Sequence, residues 1–171
     1  MPSPMNVNPI RQHKKFTLVF PRNLGRGQSW NSSKAVHQVT WEAGQILVNS
    51  SPLFSLASAP VFLDFAYDQL DRPQVCYQLP SGESFIYFYN GLTTSYQNLS
   101  LGFDAKEPII CNDYFLLGTN TACAYLKSKV PYYRLQSDRY LTEYQWNTRQ
   151  YQAIKSLGYC GETNSVQLIL G

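Results

Sequence analysis

YQLPSGESFIYFYNGLTTSYQNLSLGF, residues 77–103, and YRLQSDRYLTEYQWNTRQYQAIKSLGY, residues 133–159, align without a gap at an offset of 56. The register is set by Tyr77/Tyr133, Leu79/Leu135 and Ser81/Ser137 at the start and by Ser100-Leu101-Gly102 over Ser156-Leu157-Gly158 at the end. Between these identities apolar character is kept at Phe85/Leu141 and Phe88/Tyr144, and each copy closes on an aromatic, Phe103 or Tyr159. Self-similarity at a fixed offset defines the structural unit before any local reading is made. It defines no activity.

Each copy reads as strand, turn, strand, helix, glycine, strand. In the second copy Tyr132 to Leu135 is a short aromatic and aliphatic run, Gln136-Ser137-Asp138 supplies turn chemistry, and Arg139 to Trp146 resumes an aromatic-rich strand. Asn147 or Thr148 can cap a helix whose apolar positions Tyr151, Ile154 and Leu157 recur every three residues, and Gly158 stops it. The first copy repeats the logic, with Ser81-Gly82-Glu83 as the turn, Thr93 or Thr94 as the cap, Tyr96 and Leu99 facing inward, and Gly102 as the stop. Helices of about ten residues are marginal on propensity alone. The expectation is therefore that packing onto the strands holds them.

The second copy, Val130-Pro131-Tyr132-Tyr133-Arg134-Leu135 with Arg139-Tyr140-Leu141-Thr142, Leu157-Gly158-Tyr159 and Glu162, resembles the short tyrosine-rich tandem repeat of uncertain function found in secreted bacterial and fungal proteins. Units of that family run Pro-x-Tyr-Arg-Leu, then His-Phe-Tyr-Thr, a helix ending in Gly-Tyr, and Glu-Gly before a last strand. Here Arg139 stands at the His position, Leu141 at the Tyr position, and Gly161-Glu162 inverts the final pair. The resemblance covers about half the chain, implies the same strand and helix order, and carries no active site to transfer.

The fold class expected from this pattern is α+β with strands dominating: two tandem units packed with N-terminal β-strands. The chain divides into an extended arm (1–15), an N-terminal β region (16–70), repeat unit 1 (71–112), a connector (113–129) and repeat unit 2 (130–171). Within the β region Phe16 to Pro21 reads as a first strand and Arg22 to Ser33 as a loop. Val36, Gln38 and Thr40 alternate with Ala35, His37, Val39 and Trp41 as a half-buried strand does, and Gln45 to Val48 follows. Pro52 to Pro60 reads as a Ser- and Ala-rich linker before a strand at Val61 to Tyr67. A chain of 171 residues has room for a sizeable core.

Composition narrows the function classes. Charged residues are only 15% and aromatics reach 15%, so hydroxyls and amides cover the surface, which suits a protein whose faces meet neighbours or sugars. A net charge of +3 is too small for a nucleic-acid footprint, and no apolar run is long enough to span a bilayer as a helix. Cys76, Cys111, Cys123 and Cys160 are widely separated, which rules out a Cys-x-x-Cys signature. Two disulfides in any of three connectivities remain open. Buried free thiols are the preferred reading, because no apolar segment of secretory length follows Met1.

Catalysis has little to draw on. His13 lies in the arm and His37 on a strand, no Gly-x-Ser-x-Gly elbow presents a nucleophile, and the carboxylates are scattered. Gly25-Arg26-Gly27 lacks the Lys-Ser/Thr of a phosphate loop. The expectation is a non-enzymatic protein with no cofactor and no metal.

Two functions fit. The first is a structural subunit of a large assembly, of the virus or phage particle kind, made in the cytoplasm without a signal peptide. Its arm, carrying Ile10, Arg11, Lys14, Lys15 and Phe16, would lie across other subunits, its own copies or a different chain. The second is a carbohydrate-binding or adhesion module in which Tyr87, Tyr89, Tyr140 and Trp146 stack on a glycan while Asn90, Gln145 and Asn147 read its hydroxyls.

Overall fold

The computed structural model describes residues 26–112, 121–160 and 165–171, and the structure is built almost wholly from antiparallel strands. Strands β1 (Gln28–Trp30), β2 (Val36–Glu42), β3 (Gln45–Val48) and β4 (Ser51–Ser55) form a first sheet in chain order. A second meander follows with β5 (Phe62–Tyr67), β6 (Pro73–Gln78), β7 (Ser84–Asn90) and β8 (Ser95–Gly102). The third sheet holds β9 (Ala105–Asn112), β10 (Thr121–Lys127), β11 (Val130–Leu135) and the short β12 (Tyr144–Gln145), and a ribbon of β13 (Ile154–Cys160) and β14 (Ser165–Leu170) ends the chain. The predicted strand at Phe16 to Pro21 lies outside the described residues.

The four sheets stack as layers with three apolar seams between them. Phe65, Tyr67, Val75 and Tyr77 of the second sheet pack on Val39, Ile46 and Val48 of the first. Neighbouring residues point the other way: Ala66, Cys76, Ile86, Phe88 and Leu101 meet Ala105, Ile110, Cys123, Tyr125 and Tyr140 of the third layer. Beyond that layer Ile109, Ala122, Ala124, Tyr133 and Leu135 cover Ile154, Leu157, Tyr159, Val166 and Leu168 of the terminal ribbon. Each inner sheet is thus covered on both faces, and β10 is buried from Thr121 to Leu126. The small side chains Ala122, Cys123 and Ala124 let two layers close on it. Full burial of a residue such as Ile86 contributes about 1.5–3 kcal/mol.

Turn chemistry matches the meanders. Ala43-Gly44 between β2 and β3, Asn49-Ser50 between β3 and β4, and Ser128-Lys129 between β10 and β11 each place two successive residues at positive φ. A two-residue type I′ hairpin requires that geometry, because its twist matches that of the strands it joins. Pro52, expected in a linker, sits in β4 at the edge of the first sheet, beside the register shift at Ile46/Leu47. At an edge its missing N–H breaks no ladder.

The expected α+β class is corrected: the described residues contain no α-helix, and a single 3-10 turn, Gln136–Asp138, follows β11. Thr93 to Leu101, read as a helix, forms the β7–β8 turn and β8. Its apparent three-residue period arises because each face of β8 carries one half-buried residue, Tyr96 on one and Leu99 on the other. Tyr96 stacks on Tyr87 toward the first layer, whereas Leu99 packs toward the third. In the second copy the Ile154-to-Leu157 step has another cause. A bulge at Lys155 inserts one residue, so Ile154, Leu157 and Tyr159 share one face although a regular strand repeats every two. Leu157-Gly158-Tyr159 therefore lies within β13 and closes no helix. The strand expected over Arg139 to Trp146 shrinks to β12, because Gln136 to Glu143 is spent on the turn.

Candidate functional site

The antiparallel order brings the β5–β6 turn (68–72) and the β7–β8 turn (91–94) to the same end of the second sheet. The turn after β11 is tied to that end by a polar hub at Asp68. This carboxylate is 5% exposed and accepts from the backbone N–H of Leu70 and Arg72 at 2.9 Å each, from Arg72 Nε at 2.8 Å, from Gln74 Nε2 at 3.1 Å and from Gln136 Nε2 at 3.4 Å. Gln136 Oε1 in turn accepts from the Thr121 backbone N–H and hydroxyl at 3.1 and 3.2 Å. Buried polar atoms cost little when each finds a partner, so this hub fixes the turn without destabilising the core.

A second network anchors the far side of the same turn. Tyr125 accepts from Arg134 Nε at 2.8 Å and donates to Glu143, which also takes Lys127 Nζ at 3.1 Å, while Arg134 Nη1 holds the Tyr140 carbonyl at 2.9 Å. Burial, and then the Glu143 carboxylate, push the Tyr125 hydroxyl well above the ordinary phenol range. Burial acts to raise Glu143 as well. The hydrogen bonds from Tyr125 and Lys127, with the charges of Lys127 and Arg134, outweigh it and hold Glu143 below its usual value.

Between these anchors Arg139 and Tyr140 stand at φ +61° and +60° and turn the chain back toward β7 and β8. Tyr140 points inward, wholly buried, with its hydroxyl on Thr121, and its pKa is pushed well up by burial despite that bond. Arg139 and Leu141 border an open groove of about 400 Å3 with Phe88, Asn90, Gln97, Asn98 and Leu99. Arg139 also borders a smaller hollow of about 210 Å3 with Arg72, Tyr89, Leu92 and Gln136. Neither surface is lined by a carboxylate. Arg72 is paired with Asp68 and lies 4.2 Å over the Tyr89 ring, whereas the Arg139 guanidinium meets no partner among the described residues. Leu70, Leu92 and Leu141 are 65%, 74% and 63% exposed on these turns. The result is a positive, partly apolar surface that fits a carboxylate beside an apolar group.

The residues singled out from sequence scatter. Tyr87 is sandwiched between Phe54 (4.0 Å between ring centroids) and Tyr96 (4.8 Å), and Tyr89 lies beneath Arg72. Trp146 packs against the third seam and donates Nε1 to the Val166 carbonyl at 3.2 Å. Tyr87 and Tyr89 lie two apart on β7 and both contact Tyr96, at 4.8 and 5.5 Å between centroids, whereas Tyr140 is enclosed and Trp146 lies in another layer, so the four rings do not share one platform. Ile10, Arg11, Lys14, Lys15 and Phe16 lie outside the described residues. Gln145 is exposed on β12, and Asn147 donates to the Tyr151 hydroxyl at 2.8 Å. His37 contacts the Tyr67 hydroxyl through Nδ1 at 2.7 Å. Gln97 and Leu92 carried no signal in the sequence, and Arg72 was read there only as part of the turn Asp71-Arg72-Pro73.

Among the described residues no cluster of His, Cys, Asp and Glu could hold a metal ion, and no helix is long and apolar enough to cross a membrane. Cys76, Cys111 and Cys123 are buried, and Cys76 and Cys123 are free thiols. Comparison of the chain with protein-family models, with curated proteins and with solved structures finds no match.

Proposed function

We propose that this chain is a non-enzymatic structural subunit of a large protein assembly, of the virus or phage particle kind, which meets other subunits through the turn-bearing end of the second sheet. The observation that carries this reading is that Leu92 and Leu141 border the hollows lined by Arg139, which is unpartnered among the described residues, while Leu70 is exposed on the β5–β6 turn at the same end of the second sheet. Turn tips accept polar residues at no cost to the fold, so large apolar side chains there are explained by contact with another molecule. Arginine flanked by apolar groups is also the composition of an interface hot spot. The polar arm would add further contacts across the same neighbours.

Light scattering on the full-length chain tests this. Leu70→Asp/Leu92→Asp is expected to lower the associated mass and leave the circular dichroism unchanged, and a chain lacking residues 1–15 to lose mass further. Identical masses for all three chains, in the presence of the other components of the particle, would remove the reading. A second reading, a glycan-binding module, draws on the amides of Asn90 and Gln97 beside Arg139 and not on the four rings. Saturable binding of a sugar array that is lost in Asn90→Ala/Gln97→Ala would favour it.

A further inference from the structure

We propose that copies of this chain join head to tail, the Phe103-Asp104 bend of one copy seating in the Arg139 groove of the next. The inference rests on the assembly reading and names its partner and contact. The bend is the link from β8 in the second sheet to β9 in the third, with Gly102 at φ +84° turning the chain out. Phe103 is 57% exposed, and the adjacent Asp104 is exposed with no hydrogen-bond or ion-pair partner among the described residues. A projecting aromatic followed by an unpaired carboxylate is thus presented at one end of β8.

The complementary surface lies near the other end of the same strand. Phe88, Leu99 and Leu141 supply apolar contact in the groove, and Arg139 is its one charged lining residue. Guanidinium and carboxylate form paired hydrogen bonds in a shared plane, and the ring beside them would shield the pair from water. The two halves do not meet within one chain, because even Leu99, the groove residue nearest in sequence, and Phe103 are separated by about 13 Å of extended strand. The contact is therefore between different surfaces of successive copies, which closes into a ring or continues as a filament according to the rotation it imposes.

Charge reversal decides it, measured by sedimentation velocity on the full chain. Wild type is expected to show higher-order species whose share rises with concentration, and R139E and D104R each to associate at least tenfold more weakly. An equimolar mixture of the two variants is then expected to recover association, since the R139E groove accepts the D104R bend and the D104R groove accepts the R139E bend. The R139E/D104R double variant is expected to associate alone. Recovery on mixing also demonstrates that both variants are folded. If wild type and both single variants associate equally, the contact is overturned while the assembly reading stands on other surfaces. If wild type remains monomeric at every concentration, the contact is overturned and the assembly reading rests on a different partner chain.

Discussion

Removing the Asp64 carboxylate should loosen three layers at once. Asp64 lies in β5 with no exposed surface, and its two oxygens accept from the backbone N–H of Gly27 at 2.7 Å and of Ile110 at 2.9 Å. Gly27 leads into the first sheet and Ile110 belongs to β9 of the third, so one side chain joins the second layer to both neighbours. Asp64→Ala takes this acceptor away from both backbone donors at a buried position. An unsatisfied buried donor costs about 1–3 kcal/mol, so the pair is worth about 4 kcal/mol. For a domain of this size that corresponds to a fall in Tm of roughly 8–16 °C. Asp64→Asn keeps one acceptor and turns an amide donor toward the other N–H, so about half the loss is expected. Thermal unfolding followed by circular dichroism, with Gln45→Ala at the exposed first position of β3 as the control, measures both. A shift under about 2 °C for Asp64→Ala would mean that the layers are held by their apolar seams alone, and the reasoning from the carboxylate would fail.

Ala43 stands at φ +48° before Gly44, where asparagine suits the turn better, so Ala43→Asn should raise stability by about 0.5–1 kcal/mol in urea titrations. Glu143 is held below its ordinary value of 4.5, so its contribution is full above the unfolded value and is lost as pH falls through the lower folded one. Glu143→Gln should therefore destabilise the protein at neutral pH, with the difference from wild type shrinking as unfolding is measured at progressively more acid pH. Cys76, Cys111 and Cys123 are buried, and burial first, then the neighbouring Cys123 thiol, pushes the Cys76 thiol well up. In a Cys160→Ser background a thiol reagent should label the native protein far more slowly than the urea-unfolded chain. Rapid native labelling would contradict the seams on the two faces of the third sheet.

Local chemistry in the sequence was enough for some strands and for the turns at Ser81-Gly82-Glu83 and Gln136-Ser137-Asp138, but the hairpin turns at Ala43-Gly44, Asn49-Ser50 and Ser128-Lys129 were not read from it. The alternation from Val36 to Trp41 and the run from Gln45 to Val48 depend on nearest neighbours and emerge as β2 and β3. The duplicated tyrosine stretches place Tyr77 in β6 and Tyr133 in β11, so the offset of 56 relates one strand to another. What decides helix or strand over Thr93–Gly102 and Asn147–Tyr159 is not local. Apolar residues three apart lie on one face of a helix. They also occur on a strand partly buried on each side, as at Tyr96 and Leu99, or on one carrying a bulge, as at Ile154 and Leu157. Only the presence of a neighbouring layer separates these cases.

The surface at Arg139 shows the same division. Arg139, Leu92 and Gln97 lie on turns and an edge strand far apart in the chain, with nothing in composition or spacing to link them. They converge because Asp68 and Gln136 tie the turn after β11 to the turn between β5 and β6. The sequence alone determined the duplicated stretch, the low charge, the aromatic content and the turns at Ser81-Gly82-Glu83 and Gln136-Ser137-Asp138, since each follows from residue type and nearest neighbours. The tertiary structure decided the four-layer stacking, the strand identity of the doubtful segments, the burial of Tyr140 and the pairing of Arg72 that leaves Arg139 unpartnered among the described residues. These depend on which faces are covered by segments distant in sequence, and that information arises only when the layers close.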